Sequence, residues 1–324
     1  MTVDIEAILL ACERHSQRPT PGIQNISAYL SRQVADESHR DVIGPLLAGD
    51  RASGVVTHAG EVVATWGEHD RPEMCFSATK SFVSLVAGVA HDRGLMDVDA
   101  PVHETIDIAQ RLTGIRWKHL LQQTSQWDGV LWGKPASADA QSAGVTGSPG
   151  SVWAYNDVRV NLLCLALTTL FGRSLPAVLT EAIMRPLGAS DSWQWHGYDN
   201  SYLEVDGTRI PVVSGGAHWG GGLWMSASDM ALVGQLYLRQ DLLSADWVTR
   251  SWTPCPVKPD YGYLWWLNDR RTVFADAPAS GRCARGNGGR HLLWVDPARD
   301  LVIVSHWGED VGRLVSDVSA AVSP

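Results

Sequence analysis

Two β-branched apolar runs in SGVVTHAGEVVATWG, residues 53–67, flank the polar and small residues His58-Ala59-Gly60, which predicts a β-hairpin. Before it, residues 3–15 and 25–36 carry helical spacing, with Ile5, Leu9 and Cys12 on one face of the first helix. From Ser77 to Arg93 the apolar positions Phe82, Leu85, Val86 and Val89 recur at three- and four-residue intervals, and Gly94 follows as a stop. WKHLLQQTS, DVRVNLLCLALTTLF, LPAVLTEAIM and SDMALVGQLYL then read as helices separated by Gly-, Pro- and Ser-rich turns. After residue 260 the spacing returns to strands in YGYLWWL, RHLLWVD and LVIVSHW, the last two joined by the short turn PARD. VGRLVSDVSAAV closes the chain as a helix.

Strands at both ends with helices between them predict an α/β (α+β) fold. An antiparallel sheet flanked by the N- and C-terminal helices is interrupted by an inserted all-helical domain. The expected division is a discontinuous sheet domain, residues 1–100 and 245–324, and a helical domain, residues 101–244.

Composition narrows the function classes. At 324 residues with 45% apolar positions the chain is long enough for a substantial core, and no apolar run approaches the ~20 residues of a membrane helix. The net charge of −9 comes from scattered acids, with no basic stripe of the kind nucleic acid requires. MTVDIEAILLACERH has acids where a secretion signal is basic, so a cytoplasmic location is the expectation, with neither membrane nor nucleic acid as partner. The five cysteines are widely spaced without a CxxC pair, which speaks for reduced thiols and against zinc; no metal or cofactor is expected.

The candidate chemistry starts at CFSATKSF, residues 75–82, because this chain has only four lysines and places one, Lys80, three residues after Ser77. With Ser77 in the first turn of a helix, Lys80 lies one turn on along nearly the same face, within hydrogen-bond reach. The helix N-terminus favours a developing alkoxide, and enclosure by Phe76 and Phe82 pushes the amine toward its neutral, proton-accepting form. A chance S-x-x-K in a structural helix is the plain alternative. Further along, WAYNDVRVNLL puts Tyr155 and Asp157 two apart before a helix. A phenol beside an ammonium would have a lowered pKa and could relay protons. Read singly, Tyr155 is also compatible with an interfacial core tyrosine and Asp157 with a helix N-cap.

These stretches resemble the serine β-lactamase and penicillin-binding superfamily, in particular its class C-like branch of esterases and amide hydrolases. Ser77-Ala78-Thr79-Lys80 matches the first motif, S-x-x-K, and Tyr155-Asn156-Asp157 resembles the second, Y-x-N, with aspartate in place of asparagine. KHLLQQTSQWDG, GGGLWMSASDMALVGQLYL and RHLLWVDPARDLVIV are similar to further segments of that branch, in consistent order over residues 54–307. The third motif, K-T-G or H-T-G, is missing. Its positional counterpart is RCARGNGGR, where Asn287 and Gly288 could bring a strand edge to the substrate carbonyl and Arg282, Arg285 or Arg290 could replace the lysine; a tight Asn-Gly turn is the alternative. The resemblance implies a metal-independent hydrolase with Ser77 as nucleophile, Lys80 and Tyr155 as proton carriers and Asp157 as their orienting carboxylate. Its substrate would be a small-molecule ester, amide or lactam. Of the fifteen tryptophans, Trp127, Trp132, Trp153, Trp219 and Trp224 are expected to build a rigid apolar pocket wall, with a plain core role as the alternative, and His218 is expected on a loop near the pocket, where a structural role is the alternative. A carboxylesterase or amidase is the favoured reading. A β-lactamase or D,D-peptidase is the first alternative, and a catalytically silent ligand-binding protein on the same fold the second.

Overall fold

The computed structural model describes residues 2–18, 52–106, 108, 112–139, 141–142, 144–217 and 221–323. The expected helix at 25–36 lies outside them. Helix α1 (Ile5–Ser16) begins on Asp4, whose carboxylate accepts the Ala7 amide at 3.0 Å. Its buried face is Ile8, Ala11, Cys12 and His15, whereas Ile5 and Leu9 are exposed, so the interior-facing stripe is rotated from the expected one.

Strands β1 (Ser53–His58) and β2 (Glu61–Trp66) form the predicted hairpin, with Ala59 and Gly60 both at positive φ, as a tight turn between twisted strands demands. The principal sheet has the order β2-β1-β12-β11-β10-β9 with every pairing antiparallel. Its remaining strands are β9 (Trp266–Leu267), β10 (Arg282–Gly286), β11 (His291–Asp296) and β12 (Leu301–His306). YGYLWWL thus contributes two residues of strand rather than seven, and RCARG, read above as the counterpart of a missing motif, is a full strand.

The apolar runs of β11 and β12 are unbroken because this sheet is covered on both faces. Leu292, Trp294, Leu301 and Ile303 point into a core shared with α1 and the terminal helix α8 (Val311–Ala320), while Leu293, Val295, Val302 and Val304 point into the larger core on the other side. Between these ends lie β3 (Glu73–Met74), α2 (Thr79–Asp92), α3 (Trp117–Leu121), the short pair β4 (Val130–Leu131) and β5 (Lys134–Pro135), α4 (Asp157–Phe171) and α5 (Leu175–Leu179). They are followed by β6 (Gln194–Val205), β7 (Thr208–Val213), β8 (Gly222–Met225), α6 (Ala227–Arg239) and α7 (Ala245–Ser251).

A second antiparallel sheet, β3-β8-β6-β7, runs through residues 194–225, so the segment 101–244 is not all helical. The long hairpin β6–β7 escapes a periodicity reading because its face alternates between half-buried and exposed positions and is rich in polar residues. Helix α6 packs on the principal sheet: a Cβ at Gly234 would come within 2.5 Å of Val302, and Gln235 donates to the Gly60 carbonyl at 3.3 Å. No single helix among the described residues is long and apolar enough to cross a membrane.

Two histidines on neighbouring strands, His291 and His306, face each other with their Nδ1 atoms 2.9 Å apart and no exposure, so one ring donates and the other accepts. Burial holds His291 well below the usual histidine range and His306 at about 4, and burial also brings His15, bonded to Ser305, to about 4. These groups are neutral in the native protein and take up protons near pH 6.5 once unfolded. Their stability contribution is therefore intact above about pH 6.5 and declines as pH falls from there toward 4, by roughly 1.4 kcal/mol per pH unit per histidine. Thermal melts followed by circular dichroism should show a steep fall in Tm between pH 6.5 and 4.5; a flat profile would contradict the neutral assignment.

Candidate active site

Ser77 stands in a 3-10 turn, Phe76–Ala78, that runs directly into α2. Both sides of this turn are fixed. The Cys75 amide donates to the Leu223 carbonyl at 2.8 Å, and the Leu223 amide donates to Thr79 Oγ1 at 3.1 Å, tying the head of α2 to β8. Phe76, buried and at φ +49°, packs its ring on His291 (4.9 Å between centroids) and Trp307 (5.5 Å), and Trp307 Nε1 donates to Glu73 Oε2 at 2.9 Å. A bulky residue with positive φ costs energy, and such conformations persist where packing over-determines them. On the opposite side the end of β10 touches the turn: a Cβ at Gly286 would lie 2.3 Å from the Cys75 carbonyl oxygen, so only glycine lets the strand approach.

Lys80 is 2% exposed and its ammonium is surrounded by acceptors. It donates to Ser77 Oγ at 3.1 Å and to the Gly216 carbonyl at 2.8 Å, and pairs with Asp157 Oδ1 at 2.5 Å. It also lies 4.6 Å from the centre of the Tyr155 ring. Burial by itself would depress this amine, but the charge and hydrogen bond of Asp157, together with Tyr155, outweigh it and leave the pKa above lysine's ordinary value. This reverses the expectation of a neutral amine: apolar enclosure is real, yet it also strengthens the pairing with a carboxylate. The Tyr155 phenol, 8% exposed, interacts with both Ser77 and Lys80; burial raises its pKa despite the pull of the ammonium, so the expected lowering is reversed as well.

Asp157 is free to face the lysine because the capping of α4 falls to its neighbour. Asn156 Oδ1 accepts the Arg159 amide at 3.0 Å, and Asn156 Nδ2 donates to the Ala136 carbonyl (2.8 Å) and Ser142 Oγ (2.6 Å). Asp157 occupies the first helical position, its own amide held by Asp139 Oδ2 at 2.7 Å.

A cavity of about 250 Å³ opens onto Ser77 and Tyr155. Trp153 and Trp266 wall one side: Tyr155 stacks on Trp266 at 6.4 Å, and Trp153 meets the same indole edge-on at 6.0 Å. Arg285, Asn287 and Gly288 also line the cavity, the Arg285 guanidinium 5.8 Å from the Trp266 ring. Arg282 and Arg290 are engaged elsewhere, with Asp269 (2.9 Å) and Glu309 (2.7 Å), which leaves Arg285 as the arginine of this stretch that reaches the cavity.

The structure thus brings together Ser77, Lys80, Tyr155, Asp157, Asn287 and Gly288. Trp127 is 2% exposed in the core, its carbonyl holding Arg159 Nε at 2.7 Å, and does not line the cavity. Trp132 sits in the β4–β5 turn against Tyr198 (6.1 Å between rings), also away from the cavity. His218 and Trp219 lie outside the described residues. Sequence reasoning missed Trp266, hidden in a run that reads as ordinary strand, and the Gly216 carbonyl, a backbone acceptor with no side-chain signature.

No curated protein matches the sequence. Solved structures of similar fold include a beta-lactamase from Mycobacterium bovis (TM-score 0.62, 21% identity, covering 84% of this chain and 95% of that one). A penicillin binding protein from Bacillus halodurans is also similar (TM-score 0.62, 16% identity, 83% and 94%), as is a D-stereospecific amidohydrolase from Streptomyces sp. (TM-score 0.62, 15% identity, 99% and 100%). The family model described as Beta-lactamase matches residues 40–307, and with this fold and this serine–lysine–tyrosine cluster in view, the chain belongs to the beta-lactamase family.

Proposed function

We propose that the protein is a serine hydrolase that cleaves a carboxylic ester or amide through an acyl-enzyme on Ser77. The observation that carries this reading is Ser77 Oγ within 3.1 Å of Lys80 Nζ at the floor of a cavity it shares with Tyr155. Ser77 Oγ attacks the carbonyl carbon and its proton passes into the Lys80–Tyr155 pair, which returns a proton to the departing alkoxide or amine. Water then attacks the acyl carbon, restores the Ser77 hydroxyl and releases the acid. Because Lys80 rests as an ammonium, it acts as a base only after giving up a proton, so acylation should accelerate with rising pH. The backbone N–H of Ser77 and one from the β10–Gly288 edge would receive the oxyanion, a role supported by the close approach at Gly286.

The aromatic wall of Trp153 and Trp266 favours an acyl group with a flat or apolar body. Arg285 supports the second reading, β-lactam or D,D-peptide cleavage, since a guanidinium at the cavity could hold the carboxylate that such substrates carry. Intact-protein mass spectrometry after exposure to a p-nitrophenyl acyl ester, an acyl anilide and a chromogenic cephalosporin separates the possibilities. A mass gain equal to the acyl group, with the ester or anilide turning over faster, supports the proposal. Fast turnover of the cephalosporin alone favours the second reading, and the absence of any adduct with all three would leave a ligand-binding protein.

A further inference from the structure

Asn161 stands one helical turn after Asp157 on α4 and is 1% exposed, so both side chains project from the same face of the helix. Its Oδ1 accepts two hydrogen bonds from the segment that follows β7, from the Gly216 amide at 3.0 Å and from Ser214 Oγ at 3.1 Å. Its Nδ2 reaches the Tyr198 hydroxyl at 3.5 Å. That hydroxyl lies 2.9 Å from Ser214 Oγ, which in turn accepts the Ala217 amide at 3.1 Å. The segment is therefore clamped residue by residue, and the carbonyl it presents, that of Gly216, is the one on which Lys80 donates. A side chain at residue 216 is excluded, because a Cβ there would lie 2.4 Å from the Asp157 carbonyl oxygen.

We propose that Asn161 is a positioning residue that holds the Gly216 carbonyl on the Lys80 ammonium, and so sets where that ammonium sits and how firmly it keeps its proton. Helix α4 then supplies the lysine with two restraints: a carboxylate directly, through Asp157, and a carbonyl indirectly, through Asn161. A buried amide is costly unless its donors and acceptors are met, and the partners of Asn161 lie in this one segment and the tyrosine beside it. The catalytic consequence rests on the role proposed above for Lys80; the effect on the lysine itself does not.

The four lysines make the test direct, since protein labelled with 13C at lysine Cε gives four signals and Lys80→Met identifies one of them. Asn161→Ala should lower the Lys80 titration midpoint by about one pH unit, the size of a hydrogen bond lost by a charged group. Acylation by p-nitrophenyl acetate should fall on the order of tenfold to a hundredfold with its acid limb moved to lower pH. Asn161→Asp keeps both acceptor bonds and adds negative charge, so its midpoint should rise; a residue of merely structural value would lower Tm and move neither midpoint. If Asn161→Ala does not fold, Ser214→Ala, which loosens the same clamp, should lower the midpoint in the same direction. A Lys80 midpoint unchanged in the folded variants overturns the assignment. If the midpoint moves as expected but the native protein never acylates, the hydrolase reading fails and the assignment of Asn161 stands.

Discussion

Ser77→Ala should leave a folded protein that forms no acyl adduct and whose turnover of the best ester or amide is lower by roughly 10⁴- to 10⁶-fold, the loss seen when a nucleophile that forms a covalent intermediate is removed. The fold should survive because the hydroxyl's partners are the side chains of Lys80 and Tyr155, while the turn that carries it is held by Cys75, Phe76 and Thr79. Measurement is by mass spectrometry of the acyl-enzyme and by steady-state kinetics on the same sample, with circular dichroism to verify the fold. Wild-type turnover in the alanine variant would remove Ser77 from the chemistry and with it the proposed reaction.

The second large effect concerns the buried pair Lys80–Asp157, with side-chain exposures of 2% and 7%. Asp157→Asn restores the asparagine of the Y-x-N pattern and removes the charge that holds the Lys80 pKa up. The acid limb of the pH–rate profile should therefore move to lower pH, so that at mildly acidic pH the variant outperforms the native protein even if its plateau is lower. Lys80→Ala acts differently. It should cut acylation by about 10³-fold or more and, by stranding a buried carboxylate, cost about 3–5 kcal/mol of stability. Adding Asp157→Asn to Lys80→Ala should recover much of that stability without recovering the rate. An unshifted acid limb in Asp157→Asn would show that the carboxylate does not govern the base.

The parts of this molecule that a reader of the sequence can see are those written in side chains with strict periodicity. Helix α2 carries a three-to-four-residue repeat, the β1–β2 hairpin and the β11–β12 pair are short β-branched or apolar runs bounded by turn residues, and Ser77, Lys80, Tyr155 and Asp157 are legible because each sits at a defined offset from a helix start. What escapes is written in the backbone or decided by context. The β6–β7 hairpin is polar and half-exposed, so nothing forces its pattern into view, and Trp266, in the two-residue strand β9, lines the cavity without any local sequence signal that separates it from Trp265. Trp127 shows the reverse error: a tryptophan close to a site in sequence can face the core. The protonation states of Lys80 and Tyr155 are likewise set by context. Neighbouring residues announce burial, whereas the contact of Asp157 with Lys80, with Asn156 taking over the cap, is fixed by how α4 begins.

Lys80 has three protons on its nitrogen and three acceptors already in place: a hydroxyl, a carbonyl and a carboxylate. Its charge is thereby turned inward, so whatever enters the cavity is met by hydroxyls, aromatic rings and the Arg285 guanidinium rather than by the ammonium. Under the proposed hydrolase reading, exchanges at Trp153 or Arg285, which line the cavity without touching Lys80, should change which acyl groups are accepted more than they change the serine–lysine pair beneath.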